Sequence, residues 1–203
     1  MSAPAIDLRC ISPASYRTMP WKNGLGTTTE IAVEPEGAPL DAFTWRISTA
    51  DVVASGPFSR FPGHHRILVQ IDGAPMTLSH EGAGEHRLSR LVPYGFAGEL
   101  ATHCTVAEPP ARDFNVIVRR DVASARVWVH ELAAGAKVST AGGDADTRIG
   151  YVLEGAVSAE TARSRCAATA DETLVARGAA APLVTATVES VVLIVEIGPP
   201  GRF

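Results

Sequence analysis

Residues 43–73, FTWRISTADVVASGPFSRFPGHHRILVQIDG, contain two strongly patterned segments on either side of a loop rich in Gly and Pro. In each segment apolar side chains alternate with other side chains, which is the period of a β-strand with two unlike faces. The apolar side chains are Phe43, Trp45 and Ile47 in the first segment and Ile67, Val69 and Ile71 in the second. Arg46 and Arg66 fall on the opposite faces, and we expect their strands to be neighbours in an antiparallel sheet. A barrel interior is one of the few places where two such guanidinium groups have a use.

The length and composition of the chain are those of a folded protein. With 203 residues and 46% hydrophobic content, it is large enough for one compact unit or two small packed halves. We find neither a membrane anchor nor a signal peptide, and we expect a cytoplasmic protein. Its formal charge is -4 and its Lys and Arg residues are dispersed, which argues against nucleic-acid binding. The predicted partners are small molecules or proteins, with no nucleic acid and no membrane.

The three cysteines give no sign of a disulfide framework or a structural zinc site. Cys10, Cys104 and Cys166 are odd in number, far apart in the sequence and outside any CxxC spacing. We expect them to be inert thiols.

Short strands recur along most of the chain, at intervals of about eight to twelve residues with turn residues between them. No long helical period interrupts them. The pattern predicts an all-β fold, either a sandwich or a barrel. After residue 73 the predicted strands lie near 76–80, 87–92, 98–106, 113–119 and 126–132, and 184–197 also belongs to a sheet.

A weak internal repeat indicates that the chain is duplicated. Arg66-ILVQID-Gly73 and Arg148-IGYVLE-Gly155 share one form, an arginine followed by six largely apolar residues and a glycine. We therefore divide the chain into 1–122 and 123–203. The first half is rich in Trp, Asn, Arg and His, whereas the second is dominated by small and apolar residues, so we expect the pocket in the first half.

A duplicated run of short antiparallel strands of this kind resembles the cupin, a jelly-roll or double-stranded β-helix barrel whose mouth holds the site. Aligned with the first cupin motif, the chain places Arg66 at the position of the metal-binding Glu, and Ser59 and Phe61 at about the two His positions. Gly98 stands where the second motif has its His. Arginine cannot ligate a metal ion, so we expect no metal and no cofactor, and a site rebuilt for an anion.

The adjacent histidines His64 and His65 are the one feature of the sequence that argues for a metal site instead. Neighbouring residues of a strand point to opposite faces, so the pair cannot easily hold one ion. A histidine that follows a glycine turn is more often exposed to solvent, and we favour that interpretation.

The two arginines have a structural interpretation beside the functional one. Arg46 and Arg66 could form salt bridges with Glu30 or Asp113 inside the barrel, or they could bind a ligand. Both roles are compatible, because an Arg and Glu network can orient a guanidinium group. Trp21 and Trp45 are expected in the core.

Several blocks of the sequence, taken together and in this order, resemble the HutD/Ves family. This resemblance covers about residues 19–120. It implies a bicupin, two packed jelly-roll barrels in one chain with little helix, in a cytoplasmic protein tied in some members to histidine utilisation. It also implies a proposed role in sensing a pathway intermediate such as N-formylglutamate or formate. The blocks are WKNGLGTTTEI (21–31), FTWRISTA (43–50), GPFS (56–59), FPG (61–63), HRIL (65–68) and DFNV (113–116).

Our first hypothesis is a metal-free cupin that binds a small carboxylate and acts as a sensor or regulator of histidine utilisation or of a stress response. Arg66 and Arg46 would anchor the carboxylate, and Glu30 would orient an arginine or accept a hydrogen bond from the ligand. The neutral groups expected to line the site are Ser48, Asn115 and Asn23.

The alternative hypothesis is a metal-independent cupin enzyme, a hydrolase or isomerase, with Glu30 as the general base. A metal-dependent oxygenase is a third possibility that elemental analysis would test. The apolar faces of the second half could also support a homodimer.

Overall fold

The computed structural model describes residues 7–21, 23–139, 145–178 and 181–201. Within these ranges the chain forms nineteen β-strands and a single turn of 3-10 helix, Pro13–Ser15. The predicted all-β class with little helix is therefore confirmed. No helix in the described ranges is long and apolar enough to cross a membrane.

The chain divides into two compact units. The first unit is Tyr16–Ala123, and the second contains the described residues of Met1–Ser15 and Ser124–Phe203. The predicted division at 122/123 needs a correction at the N-terminus, because strand β1, Asp7–Ile11, pairs antiparallel with a strand of the second unit. A local sequence pattern carries no information about a partner so far along the chain.

The first unit consists of two antiparallel sheets. The six-stranded sheet has the order β2-β3-β4-β11-β6-β9, and the four-stranded sheet has the order β5-β10-β7-β8. The strands are β2 (Arg17–Pro20), β3 (Gly26–Glu34), β4 (Trp45–Val52), β5 (Gly56–Pro57), β6 (His64–Gly73), β7 (Met76–His80), β8 (Gly84–Arg87), β9 (Tyr94–Ala97), β10 (Thr102–Val106) and β11 (Ala111–Arg119).

A hydrophobic core fills part of the space between these two sheets. Its members come from both sheets, including Val52 and Leu68 of the larger sheet and Met76, Leu78 and Cys104 of the smaller one. Burial of such side chains contributes roughly 1.5–3 kcal/mol each to the free energy of folding. The inward face of β4 and β6 that carries Val52 and Leu68 also carries the two predicted arginines, since inward positions alternate along a strand.

The strands of Arg46 and Arg66 are not direct neighbours, which corrects the prediction. Strand β11 lies between β4 and β6, and its Ile117 is in register with both arginines. The two guanidinium groups thus flank one residue of a strand that lies 51 positions after Arg66 and 71 positions after Arg46 in the sequence, as the crossovers of a jelly roll allow.

The second unit has the same organisation. Its five-stranded sheet has the order β1-β17-β14-β19-β12, and its four-stranded sheet has the order β13-β18-β15-β16. The core between them again draws on both sheets. The strands are β12 (Ser124–Leu132), β13 (Lys137–Ser139), β14 (Thr147–Glu154), β15 (Ala156–Glu160), β16 (Arg165–Thr169), β17 (Thr173–Arg177), β18 (Leu183–Ala186) and β19 (Ser190–Gly198).

The strand order repeats with a shift of eight strands. The arrangement β4-β11-β6-β9 over β5-β10-β7-β8 reappears as β12-β19-β14-β17 over β13-β18-β15-β16. We call strands β4–β11 the first repeat and β12–β19 the second repeat. The Arg66 and Arg148 motifs lie on the equivalent strands β6 and β14. All four sheets are open as paired, so the closed double barrel of a bicupin stays a prediction.

Candidate functional site

A cavity of about 500 Å³ lies on the inward face of the six-stranded sheet. We call it the arginine cavity, because Arg46 and Arg66 both line it. Five of the six predicted site residues line this cavity, and Glu30 does not. The five are Asn23, Arg46, Ser48, Arg66 and Asn115.

The polar floor of the cavity follows from side-chain alternation along the central strands. Positions 46 and 48 of β4 point inward together with positions 113, 115 and 117 of β11, because cross-strand partners share a face. The residues between them, Ile47, Phe114 and Val116, point the other way and are fully buried. One face of the sheet thus supplies apolar burial and the other supplies the chemistry.

Arg66 lies deep in the cavity, with only 4% of its surface exposed. Three aromatic rings surround the guanidinium carbon, those of Phe96 at 5.0 Å, Phe61 at 5.5 Å and Phe58 at 5.6 Å from ring centre to carbon. Its Nη1 donates a hydrogen bond to the Ser59 carbonyl at 3.2 Å. Rings of this kind hold a cation in place without neutralising its charge.

The charge of Arg66 has no direct counter-ion in the described part of the chain. No carboxylate there forms an ion pair with it, and its buried Nε lacks a hydrogen-bond partner. Burial lowers the pKa of Arg66 to about 10, with an opposing effect of the Asp113 charge and a further lowering by Arg46. The side chain is still a cation at neutral pH, and a buried charge without an ion pair is costly.

Arg46, by contrast, is held by Glu30. Its Nε donates to Glu30 Oε2 at 2.7 Å, and Arg17 Nη2 lies 3.2 Å from Glu30 Oε1. The salt bridge to Glu30 that the sequence left open is therefore present for Arg46. Within the described residues, the terminal nitrogens of Arg46 make no hydrogen bond, so they are available at the cavity wall. This geometry favours the orienting role of Glu30 over that of a general base.

Asp113 is the site residue that the sequence analysis did not include among its candidates. It lines the cavity, is 1% exposed, and its Oδ1 has no hydrogen-bond partner among the described residues. Burial raises the pKa of its carboxyl to about 7, against the opposing charge of Arg66 and with a further increase from Asp51. Its position two residues before Asn115 on one strand was the available signal, because such residues share a face.

The neutral polar groups of the cavity differ in how firmly they are engaged. Asn115 is buried and its Oδ1 has no partner among the described residues, whereas Asn23 Oδ1 accepts a hydrogen bond from the Leu25 amide at 3.1 Å and stabilises its own turn. Ser48 is in register with Asn115 across β4 and β11. The pair therefore places a hydroxyl and an amide side by side on the cavity floor.

The histidine pair is arranged differently from the prediction of solvent-exposed side chains. His64 is buried, its Nδ1 lies 2.9 Å from the Pro62 carbonyl, and its ring packs 4.9 Å from that of Phe43. His65 is half-buried, and burial lowers its pKa. In the part of the chain that the structure describes, no three His, Cys, Asp or Glu side chains form a group that could hold a metal ion.

The two predicted core tryptophans have different environments. Trp45 is buried, but Trp21 lines the arginine cavity, where its Nε1 donates to Thr28 Oγ1 at 2.7 Å and its ring meets that of Phe58 edge-on at 5.8 Å. The ring of Trp21 thus contributes an apolar wall near the polar floor.

Comparison of the sequence with known families gives one match over most of the chain. The sequence model described as HutD matches residues 13–194. An uncharacterised 21.2 kDa protein from the hutC 3′ region of Pseudomonas putida is 39% identical over 111 residues, 55% of this chain and 58% of that protein. Protein Ves of Citrobacter koseri is 38% identical over 117 residues, 56% of this chain and 60% of that protein. The matches thus span less than two thirds of these two relatives.

Solved structures match nearly the whole chain. A conserved protein of unknown function from Pseudomonas aeruginosa PAO1 superposes with a TM-score of 0.86 at 32% identity, covering 95% of this chain and 99% of that one. HutD from Pseudomonas fluorescens SBW25, whose structure is named for a formate condition, superposes with a TM-score of 0.78 at 28% identity, covering 96% and 100%. More distant structures share the cupin-like fold alone.

Proposed function

Because the chain belongs to the HutD family, we propose that its arginine cavity binds a small organic carboxylate, with the guanidinium groups of Arg66 and Arg46 as anchors. The family is expected to contain sensors that bind a metabolite. This agrees with a cavity in which Arg66 has no ion pair among the described residues.

The observation that carries the proposal is that Arg66 is buried without an ion pair among the described residues. A buried guanidinium group that faces a cavity and lacks a counter-ion among the described residues needs an anion to offset its lost hydration. Arginine presents a planar fork of donors that matches a carboxylate. A carboxylate in the cavity would supply that charge.

The size of the cavity favours an amino-acid-sized ligand over a single-carbon one. Its volume of about 500 Å³ falls in the range of small-molecule sites, roughly 300–1,000 Å³. Formate would occupy a small part of this space, whereas glutamate or N-formylglutamate would also reach the polar groups of Ser48 and Asn115. The apolar wall of Trp21 and Phe58 would cover the carbon atoms between the polar ends.

Calorimetric titration tests the proposal directly. We expect wild type to bind at least one of formate, glutamate and N-formylglutamate, and we expect Arg66→Ala to weaken that binding by about 10- to 100-fold, since a charge-assisted hydrogen bond contributes about 1.5–3 kcal/mol. Arg60→Ala is the matched control, because Arg60 is an exposed arginine that does not line the arginine cavity and whose Nε donates to the Glu99 carbonyl. Equal binding by wild type and Arg66→Ala, or no binding of any of the three by wild type, contradicts the proposal.

The biological setting proposed with this activity is a cytoplasmic bicupin that senses an intermediate of histidine utilisation. Family membership supports it, as does the similarity to a protein from a hutC 3′ region. A strain that lacks this chain should regulate histidine-utilisation genes differently from its parent during growth on histidine. Unchanged regulation contradicts the role. A homodimer is a further proposal, which light scattering after size-exclusion chromatography would test.

A second candidate function, a metal-independent hydrolase or isomerase, gains support from Asp113. Its carboxyl lines the cavity and has a pKa of about 7, which suits proton transfer near neutral pH. Both oxygens of Glu30 are engaged by arginines, so Asp113 replaces it as the candidate base. If N-formylglutamate is hydrolysed, NMR should detect formate and glutamate with wild type and neither with Asp113→Asn. Absence of product with wild type contradicts this hydrolytic version.

A further inference from the structure

The second repeat contains an arginine pair equivalent to that of the arginine cavity. In the first repeat the two arginines are in register with Ile117 of β11. In the second repeat Arg126 of β12 and Arg148 of β14 are in register with Glu196 of β19 in the same way. Since cross-strand partners share a face, Glu196 and both arginines project from one side of their sheet.

The residue between the arginines differs in charge. Glu196 is a carboxylate, and its Oε1 lies 3.9 Å from Arg148 Nε, with both side chains buried. Burial raises the pKa of Glu196, while the charges of Arg148 and Arg126 oppose that increase. Arg148 Nη1 also donates to the carbonyls of Ala145 at 2.9 Å and Gly178 at 3.0 Å. Arg148 is therefore paired within the chain, whereas Arg126, unlike its counterpart Arg46, is exposed.

A small cavity lies beside Arg148 of the second pair. The cavity beside Arg148 has a volume of about 10 Å³, compared with about 500 Å³ beside Arg66. At the positions equivalent to Ser48 and Asn115, the second repeat has Trp128 and Ile194, which are in register with each other. Two large apolar residues thus stand at the positions that polar groups occupy in the first repeat, and of these Ile194 is buried while Trp128 is exposed.

We propose that the Glu196 carboxylate is an internal substitute for a ligand carboxylate, and that a carboxylate bound in the arginine cavity lies over Ile117, between Arg46 and Arg66. The inference rests on the proposed binding function and adds the position of the anionic group. It also means that the two repeats provide one carboxylate site for ligand, because Glu196 occupies the other.

Substitution at Ile117 tests the position. Ile117→Glu should place a carboxylate between Arg46 and Arg66 and weaken N-formylglutamate binding by more than about 30-fold, since the loss of charge-assisted hydrogen bonds has this scale. The Gln side chain of Ile117→Gln has nearly the same shape as Glu but carries no charge. We expect this variant to lose less than about fivefold in N-formylglutamate affinity. Near-UV circular dichroism verifies that both variants are folded.

The outcomes separate the inference from the proposed function. If folded Ile117→Glu binds as wild type does, or if Ile117→Gln loses as much as Ile117→Glu, the position is wrong while carboxylate binding stands. If wild type binds none of the three carboxylates, the proposed function itself fails. Should Ile117→Glu not fold, crystals of wild type soaked with N-formylglutamate decide the matter. A carboxylate that contacts both guanidinium groups supports the position, and one bound elsewhere overturns it.

A second experiment addresses Glu196 independently of the arginine cavity. Glu196→Ala removes a group the size of acetate from the second arginine pair. Acetate bound in its place should therefore restore stability that the variant has lost. In an Arg66→Ala background, we expect the melting temperature of the Glu196→Ala variant to rise in sodium acetate relative to sodium chloride of equal ionic strength. The Arg66→Ala single variant is the control and should respond equally to the two salts. No selective response of the double variant overturns the assignment of Glu196 as a ligand substitute.

Discussion

Arg66 and Arg148 occupy the same position in the two repeats, but their surroundings are opposite. Arg66 faces a large cavity and three aromatic rings, with an unpartnered Nε. Arg148 meets a buried glutamate and two backbone carbonyls, and the cavity described beside it has a volume of about 10 Å³. One scaffold thus holds a buried arginine in two ways, and the difference depends on whether the chain itself supplies the anion.

The largest expected effect concerns stability. Arg148→Met leaves Glu196 buried without its partner, and we expect a loss of about 3–5 kcal/mol in the free energy of unfolding. Arg66→Met removes a charge that has no ion pair within the described residues, so its cost should be at least about 2 kcal/mol smaller on the same basis. Urea unfolding followed by tryptophan fluorescence measures both. Equal costs would mean that the two arginines are equally compensated.

The next effect should be the same in both repeats, because it depends on the shared scaffold. Gly73 and Gly155 end the two Arg motifs with φ of 79° and 83°, and an added Cβ would clash with the carbonyl oxygens of Pro110 and Glu189 respectively. Each Gly→Ala change should cost more than about 1 kcal/mol of unfolding free energy. Costs that differ widely between the two would show that the repeats are not equivalent at this turn.

The two repeats also differ at the position of Asp113, which corresponds to Val192 in the second repeat. The pH dependence of ligand binding tests this difference, because only Asp113 can titrate. With a pKa of about 7, Asp113 is mostly neutral at pH 6 and mostly charged at pH 8. Its negative charge opposes a carboxylate, so N-formylglutamate affinity should fall as pH rises, by at most about tenfold per pH unit.

Calorimetry at pH 6 and pH 8 provides the measurement for this prediction. Asp113→Asn is the control, and its affinity should be nearly constant over that range. A wild-type affinity that does not change, or a fall that persists in Asp113→Asn, contradicts the assignment of the titration to Asp113.

The smallest effect concerns the aromatic rings around Arg66. Phe96 is in register with Arg66, whereas Ala176 is in register with Arg148. Phe96→Leu keeps an apolar side chain but removes a ring 5.0 Å from the guanidinium carbon, and cation–π contacts contribute about 0.5–2 kcal/mol. We expect carboxylate binding to weaken about two- to tenfold by calorimetry. Unchanged binding would show that the ring only fills space.

Much of the first unit could be predicted from local patterns. The alternation around Arg46 and around Arg66 placed each on the polar face of its strand, and the structure bears this out. The repeated Arg-to-Gly motif identified equivalent strands, although the strand order itself emerged only from the pairing. Period-two patterns succeed here because a strand that is buried on one face has to alternate.

The errors have a common origin in contacts between distant residues. The sequence predicts His64 in solvent, but His64 is buried against Phe43, and Asp113 lines the cavity although the sequence suggested it only as a salt-bridge partner. Neither environment depends on adjacent residues. Burial and the electrostatic neighbours of a group, which set its pKa, arise from strands brought together by the fold.

The order of residues along each strand was sufficient to predict the all-β class and the face on which the arginines lie. The tertiary structure alone decided that β11 separates β4 from β6, that Glu30 neutralises Arg46, and that Glu196 pairs with Arg148. The reason is that a side chain's direction depends on its own strand, whereas its partners and its exposure to water depend on strands far away in the sequence.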